Sequence, residues 1–147
     1  MTKELAFGEL FEQDLIIKKI NELYITNRQK FLILSKEGNY SSQSYVPLHD
    51  GLIEKHLDGI ATYGVFSGKE ISKFVCFDID MTDKKYLKWV YYLLMESLSE
   101  IGIPNQYIHA AHSGNKGLHV LLFVEGCVPL KHFKQLFTEA VRLIQSK

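Results

Sequence analysis

The sequence predicts an α/β chain of the α+β kind, a small N-terminal α/β unit followed by a β-β-α-β-β-α core. Three observations carry that expectation. Apolar residues recur at helical spacing from Leu10 to Tyr24. Two strand-like runs, 61–66 and 71–80, flank the turn Ser67-Gly68-Lys69-Glu70. A helix N-capped by Thr82 or Asp83 then runs to about Ile101, ended by Gly102 and followed by Pro104.

In chain order, the first helix presents Leu10, Phe11, Leu15, Ile16, Ile20, Leu23 and Tyr24 as one stripe. Phe31-Leu32-Ile33-Leu34 is a short apolar run closed by Gly38-Asn39, hence a strand and a turn. Residues 40–45 are polar and Ser-rich, and Pro47 then breaks the chain. One or two helical turns span 52–57, stopped by Asp58-Gly59. After the helix to Ile101, strands are expected at 107–112 and 118–124, joined by the loop 113–117. Pro129 suits the first position of a final helix over 130–144.

A length of 147 residues fits one domain, and a composition 46% hydrophobic and 12% aromatic supports a core and argues against disorder. Lys and Arg number 17, as do Asp and Glu, so bulk charge recruits no partner and nucleic-acid binding would need a local basic patch. Arg28, Lys30, Lys36, Lys69 and Lys73 are basic residues of the N-terminal half whose grouping only a fold can reveal. Cys76 and Cys127 lie in apolar runs and are expected as buried, reduced thiols, since no further Cys or His stands at zinc-ligand spacing. No signal-peptide core or ~20-residue apolar span occurs, so a cytoplasmic protein without membrane contact is expected.

Chemistry concentrates in two motifs. Phe74-Val75-Cys76-Phe77-Asp78-Ile79-Asp80 is an apolar strand ending in two acids. Strand alternation puts Asp78 and Asp80 on one face with Cα atoms roughly 6.5–7 Å apart. Carboxylates that close repel unless a cation intervenes, and paired oxygen ligands suit Mg²⁺ or Mn²⁺. Alone, the motif also fits solvated acids or a helix cap. The second motif is Ser113-Gly114-Asn115-Lys116-Gly117-Leu118-His119. Its glycines allow sharp turning and close approach, while backbone N–H groups, the Ser113 hydroxyl and the Lys116 ammonium are phosphate donors. His119, on the strand rim, could donate to a triphosphate; a plain hairpin with a core histidine is the alternative. No Gly-Lys-Ser/Thr of a Walker A loop is present. His112 is a weaker candidate, and His109 is expected to be structural or on the surface.

Together these motifs resemble the archaeo-eukaryotic primase superfamily, in its primase-polymerase-like branch. Three stretches carry the resemblance in family order: His56-Leu57-Asp58-Gly59 with Gly64-Val65-Phe66, the apolar-Asp-x-Asp of Phe74–Asp80, and Ser-Gly-x-x-Gly-x-His-Val over Ser113–Val120. The resemblance implies an N-terminal α/β unit over 1–60 and an RRM-like unit with a largely antiparallel sheet over 61–147. It implies that Asp78 and Asp80 bind the catalytic Mg²⁺ or Mn²⁺, and that Ser113, Gly114, Lys116, Gly117 and His119 bind the nucleotide. His56 and Tyr63 would support the fold. The implied activity is template-directed nucleotidyl transfer by a DNA primase or primase-polymerase in DNA replication. Its partners would be nucleoside triphosphates, single-stranded or primer-template nucleic acid, and helicase or other replication and repair proteins.

The family also carries a third acidic motif on a later strand, whereas the only acid beyond Glu125 is Glu139, in the predicted terminal helix. A fragment ending before that motif is therefore expected, with binding retained and catalysis left to the longer protein. Two other readings stand beside this one. A haloacid-dehalogenase-type phosphatase would use Asp78 as nucleophile, but Met81-Thr82 replaces its usual Gly-Thr. A non-catalytic primase-like module would sense nucleotides or bind a partner protein.

Overall fold

The computed structural model describes residues 7–113 and 116–147. Its elements are α1 (Phe7–Leu23), β1 (Phe31–Leu34), β2 (Tyr40–Gln43), α2 (Asp50–Leu57), β3 (Thr62–Val65), β4 (Ile71–Ile79), α3 (Lys84–Glu100), a 3₁₀ turn (Asn105–Tyr107), β5 (Ile108–His112), β6 (Leu118–Pro129) and α4 (Leu130–Gln145). Helices and antiparallel strands segregate, which is the expected α+β class. Two compact units divide between Lys69 and Glu70.

In the first unit β1 is the central strand of the sheet β2-β1-β3. Phe31, Leu48, Ile53 and Ile25 form its core, with Ile17, Ile20, Tyr24 and Tyr63 packed around them. Residues 40–45, to which the sequence assigns no element, contribute the strand β2, paired residue for residue with β1 from Phe31↔Gln43 to Leu34↔Tyr40. Its polar sequence gives no burial signal because it is an edge strand, and the tight turn after β1 supplies the pairing. The segment 61–66 was expected in the second unit. Its strand β3 pairs with β1 in the first, because Tyr63 and Val65 pack against the first core and the Tyr63 ring meets Phe31 edge-on at 5.8 Å. The second unit is accordingly β-α-β-β-α, with one strand fewer than expected. Leu15 and Ile16 of α1, assigned by spacing to the buried stripe, are about half exposed at 48% and 49%.

The second unit is a sheet of order β4-β6-β5, antiparallel throughout, with α3 and α4 packed on one face. Phe77 and Ile79 of β4 and Val120 and Leu122 of β6 point to that face. They meet Leu94 and Leu98 of α3 and Ala140 of α4. Asp83 caps α3 by accepting from the Lys85 and Tyr86 amides at 2.8 and 3.3 Å. At the other end of the sheet the Leu130 amide donates to the Glu70 carbonyl at 2.7 Å, tying the start of α4 to the start of β4.

Alternation along β4 then fixes the opposite face. Phe74, Cys76 and Asp78 stand across from Phe123, Leu121 and His119 of β6, away from the helices. Cys76 is therefore exposed, not buried, and Cys127 near the irregular end of β6 is exposed as well. An uninterrupted apolar run hid the alternation: Val75 and Phe77 supply the core, and Cys76 between them faces outward. Among the described residues no helix is long and apolar enough to cross a membrane.

Candidate functional site

The β4–β6 register brings the two motifs together. Asp78 is the direct cross-strand partner of His119, and Ile79 of Leu118. From this pairing the His119 Nε2 lies 3.7 Å from an Asp78 carboxylate oxygen. One step beyond the strand, the Lys116 ammonium lies 3.5 Å from an Asp80 oxygen. All four side chains are substantially open to solvent, from 44% for His119 to 65% for Asp78. Contacts this exposed add little stability, so their meaning is positional: Asp78 faces the His119 imidazole of β6, and Asp80 faces the Lys116 ammonium of the loop.

Gly117 makes that proximity possible. Its φ is +99°, and a Cβ there would sit 2.1 Å from the Ile79 carbonyl oxygen and 3.1 Å from the Asp80 Cα. Only glycine lets the loop backbone lie directly on the end of β4. Ser113 closes the same loop: its hydroxyl donates to the Lys116 carbonyl at 2.6 Å, and its amide to the Gly117 carbonyl at 3.3 Å. The expected phosphate donor thus holds the shape of the loop here. Gly114 falls outside the described residues.

Asp80 is not needed as a cap, since Asp83 performs that task. Of the weaker candidates, His112 lines a cleft with Lys116 and Gly117 on the α3 side of the loop. His109 is on the outer face of β5, its ring 5.7 Å from Phe123. His56 works inside the first unit: its Nδ1 accepts from the Tyr63 amide at 3.3 Å, in keeping with a supporting role. Glu139 is on α4, as its position in the sequence predicts, and pairs with Arg142 at 2.6 Å. Beside the carboxylates, partial desolvation, and secondarily the Asp78 charge, push the Cys76 thiol above its ordinary value.

The comparison with family models decides the lineage: the archaeo-eukaryotic primase domain of the TOTE conflict system matches residues 18–147. The chain belongs to that family. Among curated proteins no match is found. Primase domains of this superfamily generally use divalent metals and act on nucleotides and nucleic acid.

The residues of this primase domain can be tested against such a metal. Among the described residues no group of three or more His, Cys, Asp or Glu side chains stands ready to enclose an ion. Two exposed carboxylates, by contrast, are a donor set suited to a hard cation that keeps waters and takes phosphate oxygens as its remaining ligands. The residues therefore fit a metal bound jointly with a nucleotide better than a metal caged by protein alone. Sequence reasoning missed the basic residues nearest this site, Lys84 and Lys88 on α3, which line the cleft with Lys116. Their signal was available: three lysines within the first five residues of a helix that has no acid before Glu96.

Proposed function

We propose that this primase domain binds a nucleoside triphosphate together with Mg²⁺ or Mn²⁺ at the meeting point of β4 and β6, for nucleotidyl transfer to a nucleic-acid chain. The observation that carries the reading is the Asp78–His119 cross-strand pairing, which sets an acidic motif and a Gly/Lys/His loop side by side. Asp78 and Asp80 hold the divalent ion, which when bound offsets charge on the attacking and leaving oxygens. His119 and Lys116, now facing the carboxylates at 3.7 and 3.5 Å, turn to the phosphate oxygens of the nucleotide. Ser113 holds the loop in shape, and Gly117 keeps its backbone on the strand end.

Calorimetric titration with a nucleoside triphosphate tests this reading. Binding is expected with Mg²⁺ or Mn²⁺, none with EDTA, and a loss of at least tenfold in affinity for His119→Ala. Equal affinity with and without metal would remove the basis of the proposal.

A further inference from the structure

The outward face of α3 gathers exposed aromatic rings and lysines. Tyr86, Trp89 and Tyr92 are exposed by 60%, 57% and 57%, large values for aromatic rings. Spaced three residues apart, they follow one another along the helix. Lys84, Lys85 and Lys88 are interleaved with them, all exposed, and the Lys88 ammonium lies 5.7 Å from the centre of the Tyr92 ring. From Lys84 to Met95 the helix has no acid. The carboxyl of Asp83 is engaged with the helix amides, and Glu96 and Glu100 at the far end are paired with Lys147. The positive end of the helix dipole adds to the lysine charge. Charge and rings thus gather on the half of α3 nearest Asp80.

This face connects to the site. Lys84 and Lys88, with Tyr91, form one wall of a cleft of about 800 Å³ whose other side includes His112, Lys116 and Gly117. Lys116 is the residue paired with Asp80. A basic path therefore runs from the aromatic face of α3 to the carboxylates.

We propose that the outward face of α3 is a track for single-stranded nucleic acid, with Trp89, Tyr86 and Tyr92 stacking unpaired bases and Lys84, Lys85 and Lys88 holding the phosphates, leading through the Lys116 cleft to Asp80. Exposed rings alternating with cations match the recognition of single strands, whose bases offer π-faces that a duplex conceals. The rings alone would also suit a protein interface, where Tyr and Trp are enriched; the three lysines, depleted at such interfaces, favour a nucleic-acid strand. The inference deepens the nucleotidyl-transfer reading by assigning a surface to the strand, and the two can fail separately.

Trp89 is the chain's single tryptophan, so its fluorescence reports this face alone. Adding a short oligothymidylate to the intact chain should quench Trp89 emission at low salt and restore it as salt rises. By anisotropy of a labelled oligothymidylate, Trp89→Ala should bind about tenfold more weakly, the effect of one lost stacked base. A Lys84→Gln, Lys85→Gln, Lys88→Gln variant should reduce the log–log salt slope by about 2, or ~0.7 per phosphate contact. Metal-dependent triphosphate binding should be unchanged in Trp89→Ala. Its absence from the parent chain as well would fail the Asp78/Asp80 reading without touching the track. Oligonucleotide binding with no change in Trp89 emission, or with affinity and slope unaltered in both variants, overturns the proposal. So does quenching that follows protein concentration without oligonucleotide, which would assign the face to a second copy.

Discussion

The first unit's sheet is made of strands of four residues each, whereas β4, β5 and β6 of the second run to nine, five and twelve. Both are three-stranded and antiparallel, with the central strand paired on both sides. In the short sheet, pairing and packing serve the core: Phe31 is sealed beneath its neighbours, and His56 is engaged with the Tyr63 amide. In the long sheet one face is enough for the core. The other carries Asp78 and His119 in register, and the site sits where β4 ends and the loop folds back over it. A sheet face spared from the core, with β4 and β6 in register, is what holds two motifs, some forty residues apart in sequence, against each other.

If each unit rests on its own core, a cavity in one should be felt there first. Phe31→Ala, at a position only 1% exposed, should cost about 3–5 kcal/mol. Hydrogen exchange should then show protection falling in β1 and β3 before β4 and β6. Simultaneous loss in both sheets would mean that the division at Lys69 has no energetic counterpart.

A pair of glycine substitutions sharpens the contrast. Gly117→Ala meets both a positive φ and the Ile79 carbonyl, and should cost about 3 kcal/mol with displacement of the loop. Gly38→Ala, in the β1–β2 turn at φ +84°, meets nothing within 4 Å and should cost only about 1–2 kcal/mol. Equal losses in chemical denaturation would show that close approach to β4 is not what Gly117 provides. Smaller still, Asp83→Ala should remove about 1 kcal/mol by uncapping α3, with circular dichroism showing slight fraying of the helix.

Much of this contrast was legible before the structure. Helical periodicity located α1, the Thr82/Asp83 cap with Gly102 and Pro104 bounded α3, and Pro129 marked the start of α4. The apolar-Asp-x-Asp run placed both acids, and the Gly/Lys/His loop was recognised as their neighbour. What could not be read depends on pairing between distant segments. Tyr40–Gln43 has no apolar alternation to betray an edge strand, and nothing in Thr62–Val65 says which sheet it joins. The outward turn of Cys76 lay hidden in a run where every residue is apolar. Juxtaposition of Asp78 and His119 was expected, but their direct opposition is a matter of register, which the tight seat of Gly117 on Ile79 helps to set.

The account depends most on the two motifs forming one metal–nucleotide site. Paramagnetic broadening by Mn²⁺ with a nucleoside triphosphate, followed in the amide spectrum, tests that directly. Asp78–Asp80 and Gly117–His119 should broaden together at substoichiometric Mn²⁺. An Asp78→Asn, Asp80→Asn variant should keep its fold and lose the effect at both segments. Broadening at one segment without the other, or persisting in that variant, would contradict the account.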